Sequence, residues 1–459
     1  MYICGLITTI GELNINLNNL PTINFIESLN DYIYKMDTDL KIKKTKIFLF
    51  ISLLLLGEIF LFIIFEKIPL LSSFYFLCLC WLLALFFLKL NILLDRSLLY
   101  VYFFIILYFF LMLLNIYDID FQWFLSEILP VFITISIYTY FIKVKDFKGL
   151  AITSFISLIF IFISLITSII GLNKYPLAAR ELAGALAVEG DYALIDYYRN
   201  IGIGSYGFFS CVAFMVPVIV YQIKKNKGVL KTFLIVLLIF MLLGLVRAQY
   251  TTQLMIGIMG LILAMGGTKR LKTSIVFVFL LLLIIIFTPR SFISDLIASF
   301  SNIFSGTVLQ ERLYDLSIAI NQEFGSTDTH AGMRAARLPF LLNEFSKSPI
   351  IGGGESTGHV FWLDRLSMYG LIGIIPWILI ITYQIKFNLK NLNQEFKFYY
   401  LISIIAFIAL GFFKNMSGKE IFMSIFLIIP GLNYLDYLYK PQINKIKKNK
   451  YNYNLYANE

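Results

Sequence analysis

The stretch LAITSFISLIFIFISLITSIIG, residues 150–171, decides the class of fold. It contains no charged residue and no proline, and its only polar side chains are the hydroxyls of Ser and Thr. A helix needs about twenty mainly apolar residues to cross the hydrocarbon of a bilayer. The stretch therefore predicts a transmembrane helix, and comparable apolar runs recur along the chain.

The composition of the whole chain points the same way. Of its 459 residues, 59% are hydrophobic and 14% charged, with a mean hydropathy of +0.81, whereas about a quarter of a soluble domain is charged. The 45 Phe and 28 Tyr residues suit lipid-facing surfaces and interfacial belts. We predict an all-α polytopic membrane protein. Its first apolar run begins near Ile47, after the polar segment KIKKTK, so we expect no cleavable signal peptide.

Charge and cysteine content exclude other classes of protein. A net charge of +10 would suggest a nucleic-acid partner in a soluble protein, but in this chain the lysine clusters are better explained as a topology signal, and we expect no nucleic acid. The four cysteines show no metal-binding or redox spacing and read as small apolar residues. Histidine, cysteine and acidic residues nowhere cluster at metal-ligand spacing, so we predict no metal and no cofactor.

Apolar runs of spanning length predict about twelve transmembrane helices. They lie near residues 47–65, 70–90, 98–115, 122–142, 150–171, 204–223, 229–246, 251–267, 273–288, 359–385, 398–413 and 420–438. The first nine occupy residues 47–288 and the last three occupy residues 359–438.

Lysine clusters predict the orientation of these helices. They fall almost entirely in one alternate set of gaps, from KIKKTK at the amino-terminal side to the basic tail, residues 439–459. Because cytoplasmic loops carry the excess of Lys and Arg, this set and both termini are predicted to be cytoplasmic, including the segment of residues 1–46. The long loops of residues 172–203 and 289–358 then face outward.

The outward face is poor in lysine but carries arginines. Arg180 lies in the first long loop, Arg247 at the outer end of a span, and Arg334 and Arg337 in the second long loop. Guanidinium groups offer a planar fork that suits phosphate oxygens. An Arg at the outer end of a span, against the topology bias, is costly without a partner. Arg199, Arg290 and Arg312 are interpreted as surface or headgroup contacts, whereas Arg365 lies just inside the next span.

The second long loop contains the remaining candidate residues. Residues 309–321 and 332–346 read as helices, the second with Leu338, Leu341, Leu342 and Phe345 at core-type spacing. It carries Arg334 and Arg337 on one face and is predicted to end at Pro349. Gly352, Gly353 and Gly354 follow, either as a hinge or as backbone that lets an anion approach. His359 starts the next span, and imidazole is the natural general base near neutral pH.

Two carboxylates lie inside apolar runs, Glu58 and Glu127. Intramembrane carboxylates are candidates for a proton relay, but pairing with an Arg or Tyr inside the bundle is the favoured interpretation.

The order of these residues resembles the O-antigen polymerase and ligase superfamily, which includes the Wzy-type polymerases and WaaL-type ligases of bacterial surface polysaccharide assembly. The matching residues are Arg334, Pro349, Gly352, Gly354, His359 and the segment Tyr369-Gly370-Leu371-Ile372-Gly373. The twelve-span layout with one dominant outward loop is similar too. Arg247 stands where the family often has Ser-Arg-Gly, although its neighbours here are Val246 and Ala248. Arg180 lies where polymerases often carry another functional Arg.

This resemblance implies a GT-C-like membrane glycosyltransferase of O-antigen or capsule synthesis. Its donor would be a glycan on undecaprenyl pyrophosphate, moved as a block onto a sugar hydroxyl with inversion and without a metal. His359 would be the general base, and Arg334 and Arg247 would hold the pyrophosphate. Arg180, Arg337, Gly352, Gly353, Gly354 and Tyr369 would bind substrate. The setting implies the bacterial inner membrane, a site facing the periplasm or outside, and a flippase and chain-length regulator as partners.

Three alternatives remain open. A ligase would transfer the glycan to lipid A core, and the motif does not separate it from a polymerase, which we favour. A flippase of the same lipid-linked unit would be expected to show internal repeats and charges at mid-membrane depth, whereas this chain concentrates its arginines at the outward face. A non-catalytic assembly factor is the third alternative.

Overall fold

A computed structural model describes residues 45–65, 67–68, 73–113, 121–182, 192–267, 290–306, 308–321 and 330–439. The chain divides into two units, Met1–Phe48 and Leu49–Glu459. The predicted segment of residues 1–46 lies almost wholly outside the described residues, as does the basic tail from residue 440 onward. Nearly all of the described residues belong to the second unit.

The described part of this unit is helical and contains no β-strand. Its first half comprises α1 (residues 49–60), α2 (Phe62–Phe65), α3 (Phe74–Leu88), α4 (Leu90–Leu93), α5 (Arg96–Leu113), α6 (Phe121–Val144), α7 (Phe147–Lys174), α8 (Ala178–Arg180), α9 (Tyr192–Asn200), α10 (Tyr206–Lys225), α11 (Gly228–Ala248) and α12 (Thr251–Gly266). Its second half comprises α13 (Arg290–Ser301), α14 (Val308–Asn321), α15 (His330–Lys347), α16 (Phe361–Asn391), α17 (Gln394–Gly411) and α18 (Lys419–Leu438), the last with π and 3-10 turns within it.

Eight of these helices are long and apolar enough to cross a membrane, which confirms a polytopic helical membrane protein. They are α5, α6, α7, α10, α11, α16, α17 and α18. Two other predicted spans are shorter helices, α3 with 15 residues and α12 with 16. The predicted span at residues 273–288 lies outside the described residues, so the total of twelve stays a prediction.

The ends of the helices meet in the two sets that the lysine pattern predicts. At one end, Lys225 of α10 lies 2.7 Å from Asp436 of α18, and Lys143 of α6 lies 2.9 Å from Asp95. At the opposite end, the segments before α10, after α11 and between α17 and α18 contact one another, as described below. The loops named here therefore lie at opposite ends of the bundle, in the alternation that their order along the sequence predicts. Which end faces the cytoplasm stays a prediction.

The polar segment KFNLKNLNQEFK, residues 386–397, lies between the predicted spans 359–385 and 398–413 and is largely helical. Helix α16 runs to Asn391 and α17 begins at Gln394. The buried Asn388 amide donates to the Tyr400 hydroxyl at 2.8 Å, so a polar residue at this depth is satisfied by the neighbouring helix. Hydropathy alone therefore ended the first of these spans too early and started the second too late.

The second long loop contains three described helices rather than two. The predicted helices correspond to α14 and α15, and α15 ends at Lys347, two residues before Pro349. The additional helix α13 packs against α14, with the Ser294 hydroxyl donating to the Ser317 carbonyl at 2.8 Å. The predicted core face of α15 is wrong in part: Leu341 is buried, but Leu338 and Leu342 are exposed.

Candidate functional site

His359 lies in an exposed turn directly before α16. The buried Asp364 carboxylate holds both ends of this turn. One oxygen accepts from the Thr357 amide at 2.7 Å and the Thr357 hydroxyl at 2.8 Å, and the other accepts from the Val360 amide at 2.7 Å. A carboxylate at the first turn of a helix also complements the helix dipole. The backbone on either side of His359 is therefore fixed while its imidazole stays accessible.

Helix α15 brings an arginine to the same carboxylate. Burial lowers the pKa of the Arg337 guanidinium, and the charge of Asp364 opposes that shift, although the two described side chains form no ion pair within 4.0 Å. Arg334 lies on α15 one turn before Arg337, but its side chain lies outside the described residues. The helix that carries both arginines packs on α16. The long loop thus reaches the start of the span that begins after His359.

The glycine run docks into a break in α16. At Gly370 the backbone leaves the helical conformation, with φ 59° and ψ −160°. Loop and helix then exchange hydrogen bonds: the Gly353 amide donates to the Ser367 carbonyl at 2.8 Å, and the Leu371 and Ile372 amides donate to Pro349 and Ile350, each at 3.0 Å. Two backbones can approach this closely only where side chains are absent.

The geometry gives two of these glycines a packing function. A Cβ on Gly352 would lie 2.2 Å from the Met368 carbonyl oxygen, and one on Gly370 would lie 2.5 Å from the Gly352 nitrogen. The amide of Gly352 donates to the Ser348 carbonyl and that of Gly353 to Ser367. Gly354 differs, since nothing lies within 4 Å of its would-be Cβ. Binding of substrate by these three glycines stays a prediction.

Tyr369 lies in the protein interior, with 1% of its surface exposed. Its ring meets those of Tyr108 and Phe104 of α5, with centroids 5.6 Å and 6.2 Å away. Through these ring contacts, α16, which follows the second long loop, packs against α5. The structure therefore places Tyr369 in the packing beneath the His359 turn, and its predicted contact with substrate remains untested.

Beneath the same turn lies a buried ion pair. The Arg365 guanidinium donates to the Glu127 carboxylate of α6 at 2.8 Å and to the Phe361 carbonyl at 3.1 Å. Its central carbon lies 3.6 Å from the Phe361 ring centroid and 4.7 Å from that of Trp377. Glu58 also has a basic partner, Lys419. Glu127 thus pairs with an arginine, as the favoured interpretation expected, whereas the partner of Glu58 is a lysine rather than an Arg or Tyr.

Arg180 and Arg247 come from neighbouring parts of the backbone. Arg247 is exposed in the last turn of α11, and Tyr250 follows three residues later. The Tyr250 hydroxyl donates to the carbonyl of Ala179, the residue before Arg180. The Arg180 side chain lies outside the described residues. The structure thus brings the chain at Arg180 to the end of α11 that carries Arg247.

Loop 172–203 is further tied down beyond Arg180. Burial and then a hydrogen bond to Glu181 raise the pKa of Tyr198 on α9 to about 12. The Tyr175 and Tyr197 hydroxyls are 2.8 Å apart. These contacts hold the described ends of the loop against each other, next to Arg180 in the sequence.

A chain of contacts joins this arginine region to the His359 turn. The Tyr250 and Tyr206 rings meet at 5.3 Å, and the Lys414 ammonium lies 5.9 Å from the Tyr206 ring. The Lys414 carbonyl accepts from the Phe361 amide at 3.2 Å, and Asn415 donates to the Gly358 carbonyl at 3.3 Å. Gly358 and Phe361 bracket the His359 turn, so both predicted halves of the site lie at one end of the bundle.

Among the described side chains, this arrangement places an accessible imidazole at the same end of an apolar bundle as the guanidinium groups of Arg247 and Arg337. It offers a base and a means to neutralise an anion, which suits the transfer of a group from a phosphate-linked donor. Among the described residues, no three His, Cys, Asp or Glu side chains group in a way that would hold a metal ion.

Sequence reasoning missed several residues that build this end of the molecule. Asp364 lies five residues after His359, and an acidic residue in the first turn of a helix can be recognised from the sequence. Tyr206, Tyr250 and Lys414 gave no signal, because their partners are distant in the sequence.

The chain was also compared with known proteins. None of the protein-family models, curated proteins or solved structures compared with the chain matches it.

Proposed function

We propose that this chain is a membrane glycosyltransferase that polymerises oligosaccharide repeat units carried on polyprenyl pyrophosphate. The observation that carries the proposal is the His359 turn. An exposed imidazole stands on a backbone fixed by Asp364, and helix α15 of the long loop, which carries Arg337, packs on the helix that contains Asp364. The same turn is joined through Lys414 and Tyr206 to the outer end of α11, which carries Arg247.

The proposed reaction is a single displacement. The acceptor hydroxyl gives its proton to the His359 imidazole as its oxygen forms a bond to the anomeric carbon of the donor glycan. The bond from that carbon to the pyrophosphate oxygen breaks, and polyprenyl pyrophosphate leaves with the electron pair. One displacement inverts the anomeric centre.

The arginines would act on the leaving group. Arg334 and Arg247 neutralise the charge that develops on the pyrophosphate, and such preorganised electrostatic stabilisation is commonly a large part of catalysis. Arg180 and Arg337 would hold the donor phosphates and the neighbouring sugars.

Orientation and setting belong to the same proposal. Both termini would lie in the cytoplasm of a bacterium and the His359 end would face the outside of its inner membrane, since the lysine-rich gaps lie at the opposite end of the bundle. A donor anchored by its lipid would then reach His359 along the outer leaflet.

The test is chain growth by the purified protein in detergent, supplied with lipid-linked repeat units from a strain that lacks polymerase. We expect a ladder of glycans still attached to polyprenyl pyrophosphate. His359→Ala should abolish the ladder and leave folding intact, because the side chain is exposed. His330→Ala, the same change at the other histidine of the chain, is the matched control and should retain activity.

Three results would contradict the proposal. Near-normal polymer from His359→Ala would remove its role as base. Transfer only to lipid A core would make the protein a ligase. Transport of the lipid-linked unit across sealed vesicles, without chain growth in detergent, would identify a flippase.

A further inference from the structure

A cavity of about 430 Å³ lies near the His359 end, in a part of the molecule that the proposed chemistry does not use. Its volume falls within the usual range for small-molecule sites, roughly 300–1,000 Å³. The segments around it come from α1, α3, α9 and the starts of α10 and α18. The side chains that line it and carry the argument are Glu58, Tyr75, Arg199, Ser205, Lys419 and Glu420.

The charged groups of the cavity are arranged by neighbours on other helices. The Glu58 carboxylate lies 2.5 Å from the Lys419 ammonium, and Lys419 also lies 5.0 Å from the Phe74 ring centroid. Glu420 accepts from the Ser205 hydroxyl at 3.2 Å, and its carboxylate would be 2.8 Å from a Cβ on Gly207. It therefore sits against the first turn of α10, where the helix dipole favours a negative charge.

These contacts leave the cavity with balanced charge. Two carboxylates, Glu58 and Glu420, face two cations, Lys419 and Arg199. Among the described residues, Arg199 forms no ion pair within 4.0 Å, while Lys419 already has Glu58. A phosphate bound here would meet both carboxylates at close range, and like charges in a partly buried site repel strongly. An anion is consequently a poor fit.

A hydroxyl-rich neutral ligand fits the same groups well. Sugar hydroxyls both donate and accept, so they can donate to the carboxylate oxygens and accept from Arg199, Lys419 and Ser205, and hydrogen bonds to charged groups are the stronger class. The Tyr75 side chain is 44% exposed and offers an apolar ring face to the C–H side of a sugar. The Phe65 and Phe74 side chains add apolar surface to the wall of the cavity.

We propose that this cavity binds a saccharide unit, at a place separate from the His359 turn. The inference rests on the proposed function only for the role of that saccharide, which would be a sugar of the glycan held away from the reacting carbon. The binding itself depends on the cavity alone. Its loss would lower the affinity for the glycan without removing the base or the arginines that act on pyrophosphate.

The test is direct binding to the full-length protein in detergent. Calorimetry would be run with methyl glycosides of common hexoses and N-acetylhexosamines, and separately with sodium pyrophosphate. We expect at least one glycoside to bind, and both Tyr75→Ala and Glu420→Gln to weaken it by about tenfold or more, the factor for one lost charge-assisted hydrogen bond or ring contact. Tyr75→Ala changes an exposed side chain and should leave the fold intact.

Matched controls separate the cavity from general effects. Phe76→Ala removes an exposed ring one residue from Tyr75, and Glu355→Gln neutralises an exposed acid outside the cavity, so neither should change binding. The inference is overturned if no glycoside binds, if pyrophosphate binds instead and is lost in Arg199→Gln, or if the cavity variants bind like the controls.

The same measurements distinguish this inference from the proposed function. His359→Ala should bind the glycoside normally while forming no polymer. Glycoside binding by a wild-type protein that forms no polymer would refute the polymerase and leave the cavity standing. Polymer formation by a protein that binds no glycoside would refute the saccharide site in the cavity and leave the polymerase standing.

Discussion

Replacing Arg365 by Met should destabilise the protein strongly. Side-chain exposure is 3% for Arg365 and 8% for Glu127, and the two charged groups lie 2.8 Å apart. Met fills similar volume against Phe361 and Trp377 but leaves Glu127 without its cation. Breaking a buried pair by removing one partner costs about 3–5 kcal/mol.

The cost of protonating the Glu127 carboxyl sets an upper limit on this loss of stability. The abandoned carboxyl can take up a proton, which at pH 7 costs about 4 kcal/mol for a group with the ordinary glutamate value of about 4.3. This upper limit of about 4 kcal/mol agrees with the range of about 3–5 kcal/mol for breaking a buried ion pair. The ceiling also falls by about 1.4 kcal/mol for each pH unit lowered, so Arg365→Met should be least damaging in acid.

The assay is unfolding in detergent, followed by tryptophan fluorescence, with a double-mutant cycle. Glu127→Gln is the second single variant, and Arg365→Met with Glu127→Gln removes both charges. We expect the double variant to be more stable than Arg365→Met alone, with a coupling of about 2 kcal/mol or more. A loss below about 1 kcal/mol in Arg365→Met, unchanged between pH 5 and pH 8, would refute the reasoning.

Two further predictions concern the His359 turn and the glycine run. Asp364→Asn keeps the side-chain shape but turns one of the two acceptors into a donor, which then faces either the Thr357 or the Val360 amide. We expect transfer to fall by about tenfold or more and its pH profile to shift, while a profile identical to wild type would leave Asp364 only a structural role. Gly352→Ala would place a Cβ 2.2 Å from the Met368 carbonyl, so the yield of folded protein should collapse, whereas Gly354→Ala shares the positive φ without the clash and should lose about 1 kcal/mol. Equal yields of the two variants, measured by size-exclusion chromatography, would contradict the close docking.

The long apolar helices were predictable because a long apolar run directly indicates burial in lipid or in protein. The run at residues 150–171 lies within α7, and the lysine pattern sorted the loops into the two ends seen in the structure. The amphipathic loop helices were also detectable. Their buried face was not, since Leu338 and Leu342 look like Leu341 in the sequence but are exposed.

Pairings between distant residues were beyond the sequence. Glu127 was recognised as a residue in need of a partner, but its choice of Arg365 depends on how α6 meets α16. Gly352 and Gly370 were noted as separate parts of one motif, and only the fold shows that each clears space for the other's backbone. Sequence spacing identifies such residues; packing decides what they do.

The break at Gly370 has a consequence for how the protein is made. It lies about 14 Å along the helix from the start of α16, at the helical rise of 1.5 Å per residue, and the Leu371 and Ile372 amides are satisfied by loop residues Pro349 and Ile350. Lipid cannot supply those acceptors. During synthesis, this segment must therefore leave the insertion machinery either as a straight helix that bends later or with its preceding loop already docked, so the final shape of α16 depends on where that loop lies.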